Sequence, residues 1–266
     1  MPSLPMYFPA AFSLSQALQC ANLVEAAYDQ YDQWLQQDKP RKPSDFNWQP
    51  PSMSGWGFSA PIWSILSELK YINESEPFGF AVSDPNGDVY LVFRGTESAQ
   101  DWVDDLEAKQ STYPWKADVG LVHDGFLKLY TSLRDLALQA VDSLKPAGNF
   151  WVCGHSLGCA LSSLAVLDLQ QAWPGQAIQH YNLASPRVVD PSFAAYYNGL
   201  DVPTYRIVND SDLVPEVPPG VTGKWVYQHL GQAVTFTASY TSVEDDHSLA
   251  SCYLYALNNP EAPMNG

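Results

Sequence analysis

Residues 149–161, Asn-Phe-Trp-Val-Cys-Gly-His-Ser-Leu-Gly-Cys-Ala-Leu, constrain the fold of this chain more than any other stretch. The apolar run Phe150-Trp151-Val152-Cys153 ends at Gly154 and predicts a buried strand. Leu157, Leu161, Leu164, Ala165 and Leu169 then recur at helical spacing. Between them lies Gly154-His155-Ser156-Leu157-Gly158, a G-x-S-x-G pentapeptide at a strand-to-helix turn. Such a turn holds its serine in an unusual backbone conformation so that Oγ projects outward, and the flanking glycines keep the crossing helix and strand from colliding. The new helix also points free N–H groups at whatever binds beside Ser156, favouring a developing negative charge. The letters alone are weak, since they arise by chance in roughly one chain of this length and composition in fifteen. Placed between a strand and a helix they become specific. The competing reading is a glycine-flanked turn with an inert serine.

The rest of the chain can support such a site. At 266 residues it is long enough for one large α/β domain or two small ones, and 46% hydrophobic residues supply a core. A formal charge of −16 argues against nucleic acid and against docking on anionic membranes. It reads as solubility, or as a preference for uncharged substrates. Of the four cysteines, Cys153 and Cys159 flank the serine turn as small buried hydrophobes, and no Cys/His spacing suits zinc. Cys20 and Cys252 can pair only if the ends of the chain meet, and all four are expected to be reduced. Residues 1–35 contain no Lys or Arg, which makes a poor secretory signal, and no apolar run approaches a membrane span. The expectation is a soluble protein, cytoplasmic or released by a non-standard route; a signal removed and replaced by a start methionine would leave the same sequence.

Ser13 and Gln16 resemble a capping box, and apolar residues from Leu14 to Leu35 recur every three or four positions, predicting a helix that ends near Gln37. Residues 38–61 are polar and proline-rich and predict an irregular strap over the core, because Phe46, Trp48, Trp56 and Phe58 need cover. Residues 78–82 and 89–93 flank Asn86-Gly87 and predict a hairpin. A second amphipathic helix opens at His123-Asp124-Gly125. After the serine turn and its helix come strands at 178–183 and 205–208, a short helix near 191–197, alternating edge strands within 227–237, and a last helix from about His247 to Leu257. Strands alternating with helices imply a single α/β domain, 1–266, with a mostly parallel sheet and helices on both faces.

A serine hydroxyl needs a histidine to take its proton, and the histidine needs a carboxylate to fix its tautomer. In α/β-hydrolases the chain order is Ser, acid, His. His180, His229 and His247 follow Ser156. His180 falls inside a predicted strand, His229 lies in an alternating strand segment, and His247 follows a polar stretch and opens the final helix, where it can reach inward. Asp190, Asp201, Asp210 and Asp212 also follow, and Asp212 sits just past a strand in front of two rigidifying prolines, with Asp210 its nearest rival. A tetrahedral intermediate needs oxyanion donors; the N–H of Leu157 is one, and Thr96, in the loop after an earlier strand, is placed to be the second.

Taken in order, Phe93-Arg94-Gly95-Thr96, Asp101-Trp102-Val103-Asp104-Asp105-Leu106, Val122-His123-Asp124-Gly125-Phe126, Gly154-His155-Ser156-Leu157-Gly158, Ser185-Pro186-Arg187-Val188, the run from Val208 through Asp212 to Pro215, and Asp246-His247 resemble the class 3 lipase family. The resemblance covers about residues 78–255. It implies an α/β-hydrolase fold, a Ser156, Asp212 and His247 triad, an oxyanion hole of Thr96 and Leu157, and Asp105 as the carboxylate supporting the oxyanion hydroxyl. It also implies a lid over 97–110. There Trp102, Val103 and Leu106 share one helical face while Asp101, Asp104, Asp105 and Glu107 take most of the rest. The implied activity is hydrolysis of acyl-ester lipids, by a triacylglycerol lipase or carboxylesterase that needs no metal or cofactor, with phospholipid, galactolipid or feruloyl esters as alternatives. A catalytically dead binding module is the reading from another class, and it usually lacks a triad member.

Overall fold

The serine turn sits at the carboxyl end of a central strand. In a computed structural model, which describes residues 6, 8–64, 75–96 and 107–261, this strand is β7 (Phe150–His155). Before it in the chain come α1 (Leu14–Gln36), β1 (Gly57–Phe58), β2 (Ile62–Ser64), β3 (Glu76–Ser83), β4 (Val89–Phe93), β5 (Gln110–Thr112), β6 (Leu121–His123) and α2 (Asp124–Ser143). After it come α3 (Leu157–Ala172), β8 (Ile178–Leu183), α4 (Pro191–Asn198), β9 (Thr204–Asn209), β10 (Val221–Thr222), β11 (Trp225–Val226), β12 (Gln232–Phe236) and α5 (Val243–His247). Among the described residues the main sheet runs β1-β3-β4-β7-β8-β9-β12, with β2 also on β3. From β4 to β12 every pairing is parallel, while β1, β2 and β4 all lie antiparallel to β3.

The central strands are continuous apolar runs because both sheet faces are covered. Val89, Leu91, Phe93, Phe150 and Val152 join the core beneath α2 and α3. Tyr90, Val92, Trp151 and Cys153 face the other way, onto Ala17, Ala21 and Val24 of α1 and onto Leu249, Tyr253 and Leu257 near the chain end. The small residues of α1 let its axis approach the sheet closely, which brings Tyr28 to the serine turn. In the strap, Phe46 is buried with Trp34 and Trp63, Trp48, Trp56 and Phe58 pack on the α1-side core, and Gly57–Phe58 joins the sheet as β1 instead of staying irregular. All four cysteines are buried free thiols. No described helix is long and apolar enough to cross a membrane.

Local details depart from the sequence expectations. Ser13 caps α1 through Gln16 N, but the reciprocal arm of the capping box is spent elsewhere, since Gln16 Oε1 accepts from the Tyr90 hydroxyl at 3.3 Å. Within the alternating stretch 227–237, only β12 joins the sheet, as a parallel partner of β9. His229 lies in no strand. The final helix does not begin at His247. Ser242 caps a short turn by accepting from Asp245 N at 3.1 Å, and the acidic Glu244, Asp245 and Asp246 suit a helix N-terminus, so α5 starts at Val243 and ends at His247. Ser248 then breaks the path and caps a wider π-helical turn, Leu249–Leu254, which continues into α6 (Tyr255–Asn258).

Candidate active site

Ser156 has φ 57° and ψ −125°, a left-handed conformation that a non-glycine residue adopts only under constraint. The constraint is close packing. A Cβ on Gly154 would lie 2.4 Å from the Gly158 carbonyl carbon, and one on Gly158 would lie 2.4 Å from the Phe93 oxygen. The first glycine therefore lets α3 cross its own strand, and the second lets α3 approach the end of β4, which carries the Phe93-Arg94-Gly95-Thr96 loop. The held conformation costs about 1–3 kcal/mol. Ser156→Gly is accordingly expected to be more stable than Ser156→Ala by about 1 kcal/mol in urea unfolding, although glycine normally loses to alanine. A glycine variant that is the less stable of the two would show that the turn is not strained.

Asp212 lies just past β9 and is almost wholly buried. Its Oδ1 accepts from Val214 N at 2.9 Å, and its Oδ2 accepts from His247 Nδ1 and from the Tyr253 hydroxyl, both at 2.7 Å. A carboxylate only accepts, so the proton of a neutral His247 sits on Nδ1 and Nε2 presents a lone pair. That Nε2 and Ser156 Oγ are both buried and have no hydrogen-bond partner among the described residues. A proton acceptor on an aspartate-bound histidine and a serine hydroxyl, both unused, are the groups that general-base activation of a serine requires.

The rival residues are engaged elsewhere. Asp210 is exposed and accepts from Thr237 Oγ1 at 3.1 Å. Asp190 caps α4 and also accepts from Leu121 N, and Asp201 is exposed at φ 56°. His180 is buried between Ser162 and the Tyr197 hydroxyl, and His229 Nε2 is bonded to the Pro215 carbonyl. Burial pushes both rings down to about 3, so they are neutral and structural at ordinary pH.

The expected oxyanion donors lie in the loop after β4 and at the start of α3. Leu157 is the first residue of α3, so its N–H has no acceptor within the helix. Thr96 lines a cavity of about 380 Å³ together with Glu25, Tyr28, His155, Glu244 and His247. The loop is anchored by buried Arg94, which donates to the Pro77 carbonyl at 2.9 Å, to the Gly95 carbonyl at 2.6 Å and to Glu76 at 2.8 Å, and whose guanidinium lies 3.8 Å over the Tyr31 ring. Tyr28, His155, Tyr253 and Arg94 all touch this machinery, and sequence reasoning assigned none of them a role. Tyr28 reads as a member of the apolar stripe of α1 and Tyr253 falls inside the expected last helix, and nothing in the sequence separates a core tyrosine from one bonded to a candidate catalytic group. Asp105, Trp102, Val103 and Leu106, the expected oxyanion support and lid face, lie outside the described residues. Gln110, the last residue of the expected lid span, already belongs to β5.

A parallel sheet whose central strand turns into a helix at a strained serine, followed in the chain by aspartate and then histidine, defines an α/β-hydrolase. The sequence profile described as Lipase (class 3) matches residues 90–222, half of the chain. The chain belongs to the class 3 lipase family. A lipase of Rhizomucor miehei is 36% identical over 163 residues, 59% of this chain and 44% of that protein. Secreted mono- and diacylglycerol lipase 1 of Fusarium solani is 30% identical over 152 residues, 56% of this chain and 44% of its own length. The solved Rhizomucor miehei lipase propeptide complex aligns with a TM-score of 0.64 at 26% identity, covering 85% of this chain and 70% of that one. The chain thus spans about half the length of the curated relatives it matches.

Proposed function

We propose that this chain hydrolyses the acyl esters of neutral glycerolipids through an acyl-serine intermediate. Ser156 Oγ attacks the ester carbonyl as His247 Nε2 takes its proton, and Asp212 holds the imidazole in the Nδ1–H tautomer and steadies its charge. The N–H of Leu157 and Thr96 receive the oxyanion. The leaving alcohol departs with the proton from His247, and a water activated by the same nitrogen releases the fatty acid. The observation that carries this reading is that Ser156 Oγ and His247 Nε2, the latter on the ring whose Nδ1 bonds Asp212, are both buried without a hydrogen-bond partner among the described residues. The lipase names of the relatives support glycerol esters as the substrate class, met at a lipid–water interface.

The cavity supports a neutral head group. Glu25 and Glu244 both line it, and Glu25 is held above the usual carboxylate range by burial and by Asp29 and Asp32 on the same helix. An anionic head group would add another like charge. Trioctanoylglycerol is therefore expected to turn over about tenfold faster than dioctanoyl phosphatidylglycerol in a pH-stat assay, the factor that ~1.4 kcal/mol of repulsion gives. Equal or reversed rates would remove the head-group assignment. A chain that cleaves no carboxylic ester, or cleaves it equally well as Ser156→Ala, would remove the hydrolase reading.

A further inference from the structure

Tyr28 lies on α1, far in sequence from the serine turn and the oxyanion loop, yet its hydroxyl makes two contacts there. It accepts from Gly95 N at 3.0 Å, next to Thr96 in the oxyanion loop, and it bonds His155 Nδ1 at 2.8 Å, next to Ser156 in the serine turn. On its other side, His155 Nε2 bonds the backbone carbonyl of His247 at 2.9 Å. The His155 ring also packs 4.6 Å from that of His247, centroid to centroid.

The proton positions follow from the partners. The His247 carbonyl only accepts, so His155 Nε2 carries the hydrogen. A neutral imidazole then has a bare Nδ1, which must accept from the Tyr28 hydroxyl, and the remaining lone pairs of that oxygen receive Gly95 N–H. Every hydrogen in the chain thus has one direction: Gly95 to Tyr28 to His155 to the His247 carbonyl. Burial holds His155 well below the ordinary histidine range, consistent with the neutral ring this ordering needs.

We propose that Tyr28 is a positioning residue for hydrolysis, acting through the His155 ring to lock the oxyanion loop, the serine turn and the His247 backbone into one register. Without its hydroxyl, His155 Nδ1 loses its donor and Gly95 N–H its acceptor. The ring keeps its bond to the His247 carbonyl but is no longer fixed on the oxyanion-loop side, so the ring, and the base it holds, shift relative to Ser156. The substrate pocket keeps its walls, so turnover is lost rather than affinity.

This inference rests on the hydrolase reading, and its test separates the two. With five histidines in the chain, nitrogen-15 NMR of the labelled protein resolves the ring tautomers. His155 is expected as the Nε2–H form in the wild type and in Tyr28→Phe, with the Nδ1 resonance of the variant shifted toward that of a nitrogen that accepts no hydrogen bond. On a soluble p-nitrophenyl ester, kcat of Tyr28→Phe is expected to fall roughly tenfold or more with KM moving less than about twofold. In a His155→Gln background the same substitution is expected to cost several-fold less. An Nδ1–H tautomer in the wild type, an unchanged kcat, a loss confined to KM, or equal losses in both backgrounds would each overturn the proposal. If Tyr28→Phe fails to fold, the wild-type tautomer still decides. A wild type that shows the Nε2–H signature but turns over no ester instead overturns the hydrolase reading and with it the kinetic role.

Discussion

Asp212→Asn is expected to lower kcat for ester hydrolysis about ten-thousandfold, with KM nearly unchanged and the fold retained. The carboxylate receives three donors: Val214 N on one oxygen, and His247 Nδ1 and the Tyr253 hydroxyl on the other. An amide has only one oxygen to offer. If that oxygen faces His247, the NH₂ group confronts the fixed backbone N–H of Val214. If the NH₂ group faces His247, two side chains must adjust instead of one backbone segment, and this arrangement costs less. His247 then becomes an acceptor at Nδ1 and carries its proton on Nε2, where it has no lone pair left to take the serine proton. His247→Ala removes the base outright and is expected to cost at least as much, whereas Asp210→Asn and His229→Ala are expected to stay within about twofold of the wild type. Steady-state kinetics on a soluble p-nitrophenyl ester, with Ser156→Ala as the floor, decide the assignment. A comparable loss in either rival would mean that another acid or base serves Ser156.

The proposed triad and the residues that support it were not equally legible in the sequence. Ser156 was marked by two glycines whose spacing the backbone requires, and β7 and α3 by their different hydrophobic periods. Chain order narrowed the acid and the base to residues after Ser156; Asp212 then stood out by its place past a strand and before two prolines, and His247 by a polar stretch leading into a helix, where the loops of a parallel sheet gather at one edge. What the sequence hid was the second layer. Tyr28 sits on the core-facing stripe of α1, and only the tertiary approach of that helix to β4 and β7 gives its hydroxyl partners. Tyr253 reaches Asp212 from a π-helical turn, whose wider repeat does not match the 3.6-residue pattern used to predict a continuous helix. The start of that region was misplaced for a related reason. The Val243–His247 turn is set by the Ser242 cap and three acidic residues rather than by apolar periodicity, so a search for hydrophobic spacing passes over it.

Stability is expected to fall steeply as pH drops from about 6.5 to 4.5, and to be nearly flat between 7 and 8. Four histidines besides His247 are held below their ordinary value of 6.5, chiefly by burial: His123 at about 4, His180 and His229 at about 3, and His155 well below the range. The unfolded chain protonates these rings near pH 6.5, while the folded protein keeps them neutral until the pH is far lower. Between the two values the unfolded state binds more protons, so stability rises with pH through that window and is complete above it. At pH 5 each fully buried ring costs about 2 kcal/mol, and the half-buried His229 costs less. Together these approach the 5–15 kcal/mol by which a domain is typically stable. Raised carboxyls at Glu25 and Asp246 act in the opposite direction, since protonation relieves them, but they are partly exposed and offset only a fraction. Urea titrations at half-unit pH steps measure the slope directly. His180→Asn, which keeps a polar group between Ser162 and Tyr197, is expected to be less stable at pH 8 yet to lose up to one proton's worth of slope, about 1.4 kcal/mol per pH unit. A stability unchanged between pH 7 and 5 would mean that these rings open to water before they titrate.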